Sequence, residues 1–145
     1  MDEEVDYSTL NDDELEHIAR GDDVFSIGPA LNALYMRAPQ RALPIAEGLL
    51  RGDDEWLRAT ALDIVFHENQ PLALDYMRDH AISCGIPVLR VIVEMLAVDH
   101  QAPERSCIED LLVRVGDRLL RDPEDRAIED PRDLFFRRYP DLRPQ

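Results

Sequence analysis

The sequence predicts an all-α protein, a short right-handed α-solenoid of about four antiparallel helical pairs. Three observations carry this. Apolar residues recur at helical spacing along nearly all of the 145 residues, and no segment alternates convincingly as a strand would. Pro or Gly interrupts the pattern at short intervals, as brief turns between helices require. The stretch Arg20-Gly21-Asp22-Asp23 also returns as Arg51-Gly52-Asp53-Asp54, each time between runs rich in Ala and Leu.

The first helix is expected from Asn11 to Arg20, with Leu15, Ile18 and Ala19 on one face and Gly21 at its stop. A second begins near Ser26 as its cap, accommodates Pro29 in the first turn and ends before Pro39. The third spans Gln40 to Arg51 with Pro44 near its start, and Asp53 or Asp54 caps a fourth through His67. Pro71 opens a fifth that ends near Cys84-Gly85, and Pro87 a sixth that ends near Asp99. A longer seventh runs from Pro103 to Arg121, and an eighth follows Asp130-Pro131 as far as Tyr139.

Shifted by 31 residues, ARGDDVFSIGPALNAL lies over LRGDDEWLRATALDIV. The overlay matches RGDD, pairs Phe25 with Trp56, and pairs Ala30 and Leu31 with Ala61 and Leu62. A weaker third copy sets Leu89-Arg90-Val91-Ile92-Val93 over Leu57-Arg58-Ala59-Thr60-Ala61, and Leu49-Leu50-Arg51 recurs as Leu119-Leu120-Arg121. Helical pairs at a period of this order bury their apolar faces only by stacking on one another. The expected part of RGDD is structural: Gly gives the left-handed stop of one helix, and Asp caps the next.

The run Leu49-Leu50-Arg51-Gly52-Asp53-Asp54-Glu55-Trp56-Leu57-Arg58-Ala59-Thr60-Ala61-Leu62 resembles a bacterial HEAT repeat. That family's pattern is a Leu-Leu end, an Asp-rich turn, an apolar-Arg pair and Ala at helical spacing. The likeness is partial over residues 10–37 and loose over 71–99, and residues 103–145 fit only as a divergent end. Ile27 stands where the family's intra-repeat Arg, here Arg58, is expected. The resemblance implies a HEAT/armadillo-like binding scaffold with a concave surface lined by second helices; it implies no activity.

Composition narrows the function. There are 31 acids against 16 basic residues, all of them Arg, for a net charge of −15. Such a chain repels phosphate backbones and draws basic surfaces, so nucleic acid is excluded as a ligand and a basic protein is expected. Cys84 and Cys107 lack metal-binding or redox spacing and read as free thiols of a cytoplasmic protein, Cys107 packing in the core beside Leu111. The acidic start is unlike a signal peptide, and no apolar run reaches membrane-spanning length. Residues 1–9 read as an acidic arm, disordered when free, and 10–145 as a single domain.

No catalytic, metal or cofactor constellation stands out. His17, His67, His80 and His100 have no partner histidine at i+3 or i+4, and His67-Glu68-Asn69-Gln70 lacks the second His of a zinc helix. Asp75, Asp79 and His80 form the one local group that a hydrolase could use, with a solvated helix face as the plainer reading. Ser83-Cys84-Gly85 has no nucleophile-elbow context.

The acids are therefore the functional lead. Stacked repeats would line up Asp22, Asp23, Asp53, Asp54 and Glu55 along one edge as partner-binding residues. Trp56, the lone tryptophan, stands behind them and either meets a partner or packs partly in the core. Tyr35, Asp63 and Glu68 fall on second helices and complete the expected binding set. Phe135-Phe136-Arg137-Arg138-Tyr139 is read as capping the last pair. Compact, acidic, HEAT-like immunity proteins that neutralise nuclease toxins in contact-dependent inhibition and polymorphic toxin systems are similar to this chain. That resemblance implies a non-enzymatic inhibitor of a basic toxin, needing no cofactor; a general protein-protein adaptor is the alternative.

Overall fold

The computed structural model describes residues 5–144, and among them every regular element is helical, with no strand. The helices form two compact units, Met1–Glu68 and Asn69–Gln145, where the sequence reading runs one domain through 10–145.

In the first unit, α1 (Asp12–Ala19), α2 (Val24–Arg37), α3 (Pro39–Leu50) and α4 (Glu55–Glu68) follow one another through short turns. Each packs on its successor, while α1 also meets α3 and α2 also meets α4. Such turns make successive helices antiparallel, so α2 and α4 run parallel. Leu15, Ala30, Leu31, Leu34, Ala42, Ala46, Ala61, Leu62, Val65 and Phe66 are fully buried and form the core. The helical spacing read from the sequence selects these positions, because the stripe of each helix excludes water only against its neighbours.

The starts of these helices follow local chemistry. Asn11 caps α1 in a reciprocal box: its side chain accepts from the Glu14 amide at 2.8 Å, and Glu14 accepts from the Asn11 amide at 3.1 Å. α2 begins three residues earlier than a Ser26 cap would place it. Asp23 is the cap, accepting from the Phe25 amide at 3.1 Å and from Ser26 Oγ at 2.7 Å. Pro29 consequently sits at the sixth helical position, not in the first turn, and cannot donate to the carbonyl one turn back. Pro44 holds the same sixth position of α3.

The glycines of the two RGDD turns do not stop their helices in left-handed geometry, since no glycine among the described residues has positive φ. The helices tighten instead. Gly21 N donates to Ile18 O at 3.0 Å and Gly52 N to Leu49 O at 3.1 Å, as at a last 3₁₀ turn. A Cβ there would stand 3.2 Å from Ile18 O at Gly21 and 3.3 Å from Leu49 O at Gly52. Close approach to a carbonyl, rather than a left-handed φ, selects glycine.

In the second unit, α5 (Gln70–His80), α6 (Ile86–Ala97), α7 (Glu109–Leu120) and α8 (Glu129–Arg138) are joined by longer turns and by 3₁₀ segments at Arg105–Cys107 and Arg126–Ile128. Here α5 meets α7, α6 meets α8, and α7 meets α8. The core is Val88, Leu89, Ile92, Leu96, Ile108, Leu111, Leu112, Val115, Leu119 and Phe135. The seventh helix is shorter than the run from Pro103 suggested. Ile108, fully buried at φ −131°, breaks it from the preceding 3₁₀ turn. That break turns Cys107 outward to an exposed position, correcting its expected place in the core, while Cys84 is buried. Phe135, Phe136 and Tyr139 bury their rings, and Tyr139 Oη donates to Leu96 O at 2.7 Å. No described helix is long and apolar enough to cross a membrane.

Candidate functional site

In both RGDD turns the second acid caps the helix that follows. Asp54 accepts from the Leu57 amide, three residues on, at 3.0 Å, and Asp23 from the Phe25 amide, two residues on. Asp22 and Asp53, the first acid of each pair, form no hydrogen bond or ion pair among the described residues. Glu55 is half-buried and lies 3.8 Å from Arg58. Each capping acid is thus engaged by its own helix, and each leading acid is left to solvent.

Immediately behind these turns, Phe25 and Trp56 hold the second position of α2 and of α4. Both are exposed, Phe25 at 87% and Trp56 at 74%. For Trp56 this decides against core packing: its neighbour Leu57 takes the inward position, 7% exposed. Phe25 was legible only as the partner of Trp56 in the repeat overlay, and that equivalence is the signal by which the sequence could have nominated it.

At the opposite ends of the same helices the structure brings together three more of the expected residues. Tyr35 Oη donates to Glu68 Oε1 at 2.8 Å, and His67 Nδ1 lies 3.2 Å from Asp63 Oδ1. Burial pushes the Tyr35 phenol up to about 12, with the accepting Glu68 and then the charge of Asp63 adding to the effect. This cluster ties α2 to α4 and fixes their register. The contact pairs residues 33 apart and the RGDD overlay pairs residues 31 apart, a two-residue difference that amounts to about 3 Å along a helix. Phe25 and Trp56 therefore stand at one common end of the parallel pair.

The charge is divided unevenly. Residues 1–68 hold 16 acids and five arginines, a net −11; residues 69–145 hold 15 acids and 11 arginines, a net −4. Several guanidiniums in both units serve backbone carbonyls. Arg58 donates to Leu50 O at the end of α3, and Arg37 to Leu10 O at 2.6 Å. In the second unit, Arg114 reaches Arg78 O at 2.6 Å, Arg118 reaches Ile82 O at 3.0 Å, and Arg90 reaches Ala127 O at 3.0 Å.

Arg132, 8% exposed, donates to Leu119 O at 3.1 Å, Asp122 O at 2.8 Å and Asp125 O at 3.3 Å. Like Arg58 it is the fourth residue of its helix, aimed back at the end of the helix before. The Leu-Leu-Arg echo at 49–51 and 119–121 marks these two equivalent joints, and the sequence did not single out Arg132.

The residues that suggested catalysis are not assembled. Asp75 lies 3.5 Å from Arg78, and His80 stacks on Tyr76 with ring centroids 4.2 Å apart. No hydrogen bond joins Asp79 to either of them among the described residues. No group of three or more metal-ligating side chains occurs among the described residues. An open depression in the second unit, lined by Arg126, Arg132, Arg143, Glu124, Glu129 and Asp133, mixes both signs of charge.

No protein-family model matches the chain, and comparison with curated proteins and with solved structures gives no significant match.

Proposed function

We propose that this chain is a non-enzymatic immunity protein that acts in the cytoplasm, binding a basic toxin, of nuclease type, through the acidic first unit. In this reading the helical pairs belong to a short right-handed α-solenoid. Helix-on-helix contacts of the α1–α3, α2–α4, α5–α7 and α6–α8 kind support that architecture within each unit. The observation that carries the reading is the uneven charge, −11 in residues 1–68 against −4 in residues 69–145, together with Asp22 and Asp53, which have no partner among the described residues. A field of that sign accelerates encounter with a cationic protein and competes for the side chains that would otherwise hold phosphate.

The test is affinity purification from the native bacterium with tagged protein, at low and at high salt, followed by expression of the recovered polypeptide with and without this chain. A single basic polypeptide, recovered in equal amount, lost at high salt and toxic only when expressed alone, is the expected result. Recovery of an acidic or non-toxic partner overturns the reading, and several housekeeping partners would favour an adaptor.

A further inference from the structure

The exposed pair of aromatics at one end of α2 and α4 defines a docking surface more specific than a field of charge. Phe25 and Trp56 are both largely exposed, and they occupy equivalent positions on two parallel, touching helices. Helices in contact lie about 8–10 Å apart, and that interaxial distance sets the scale of the separation between equivalent positions on α2 and α4. Each ring is preceded, three residues earlier, by an unpartnered carboxylate, Asp22 for Phe25 and Asp53 for Trp56. Each capping acid is committed: Asp23 accepts through both oxygens and Asp54 through one.

The chemistry of this doubled unit, one aromatic face and one free carboxylate, fits a guanidinium. Arginine is flat, stacks on aromatic rings and donates a fork of N–H groups to a carboxylate. A purely apolar segment would cover the rings but leave Asp22 and Asp53 desolvated without a donor, and a phosphate backbone would meet like charge. The positive ends of α2 and α4 do not reverse this, since each contributes about half a charge against two carboxylates.

We propose that Phe25 and Trp56, with Asp22 and Asp53, form a two-pocket surface for a protein segment that presents two arginines about 10 Å apart. A segment in the polyproline II conformation, with three residues per turn, meets that spacing with arginines three residues apart on one face, at about 3.1 Å per residue. The inference rests on the basic partner of the proposed function and adds how that partner is recognised.

Trp56 is the only tryptophan, so its emission reports on this surface directly. The probe is a capped peptide with arginines at positions i and i+3, titrated to millimolar concentration against the full chain. Peptides with adjacent arginines, or with lysines at i and i+3, serve as comparisons. The expected result is a saturable change in Trp56 emission, weakest for the lysine peptide and reduced by salt. Phe25→Ala, and Asp22→Asn with Asp53→Asn, should each weaken binding by about three- to tenfold, and Met36→Ala should leave it unchanged.

Unmoved Trp56 emission overturns the proposal, as does an emission change that survives the double Asn variant or is equal for adjacent arginines. The two readings fail separately. If purification yields no toxin but the peptide moves Trp56 as described, the docking surface stands without the immunity role. A neutralised toxin whose complex leaves Trp56 emission unchanged retains the role and removes the surface.

Discussion

Tyr35 Oη donates to Glu68 Oε1 at 2.8 Å, joining the last turn of α2 to the last residue of α4. One bond thus fixes the register of two parallel helices whose other ends carry Phe25 and Trp56. Tyr35→Phe should destabilise the protein by about 0.5–1 kcal/mol at neutral pH, measured by urea unfolding. The phenol also gives a pH signature. Its folded value of about 12 lies above the ordinary phenol value of 10.0, so folding favours the protonated form. The associated stability is complete below pH 10 and is lost as the pH rises through about 12. Glu68→Gln removes a charge that raises the phenol, so ultraviolet titration should show Tyr35 ionising at lower pH than in the parent.

The two acids of each RGDD turn should separate by stability. Asp23→Ala and Asp54→Ala each remove a cap and should cost about 1 kcal/mol in urea unfolding. Asp22→Asn and Asp53→Asn touch no partner and should stay within about 0.5 kcal/mol of the parent. Equal losses at all four positions would mean that the leading acids are structural too.

Arg132 serves three carbonyls from a position 8% exposed. Arg132→Met should cost about 3 kcal/mol by denaturant unfolding, because it strands acceptors at the end of α7. Arg132→Lys should not restore the loss, since an ammonium lacks the planar fork. Arg58→Met should cost about 1 kcal/mol or less, its bond to Leu50 O being 3.4 Å long.

Acid should weaken the fold through a small set of carboxylates. Hydrogen bonds from Arg41, Arg78 and Arg105 hold Glu16, Asp110 and Asp141 respectively below their usual values. Depressed carboxylates contribute stability above their unfolded values, 4.5 for Glu16 and 3.8 for the two Asp residues, and lose it as the pH falls through the folded ones. Arg105→Gln should therefore lower the melting temperature at pH 7 and have little effect once Asp141 is protonated in both states. Thermal melts across the acid range check this.

Glycine at position 48 is replaceable, whereas glycine at 52 is not. Gly48 is exposed within α3, and a Cβ there meets nothing within 4 Å. Gly48→Ala should stabilise the protein by about 0.5–1 kcal/mol. Gly52→Ala places a Cβ 3.3 Å from Leu49 O and should destabilise it, as thermal or urea unfolding of the pair would show.

Helical periodicity, the RGDD echo and the charge were legible in the residues. They determined an all-helical chain, the order of its eight helices and the inward face of Leu15 and Ala19, because these depend on spacing along one helix and on local turn chemistry. The same locality explains why Asp54 was among the expected caps while Ser26 was mistaken for one. A cap depends on which side chain reaches an amide, and Asp23 reaches the Phe25 amide first. Other features depended on tertiary structure. Whether Trp56 faces solvent rests on which neighbour takes the inward position. The Tyr35–Glu68 bond requires two helices to touch 33 residues apart in the sequence. The destination of each arginine is set by which helix ends and acids fall within reach of its side chain, and among the described residues none reaches Asp22 or Asp53.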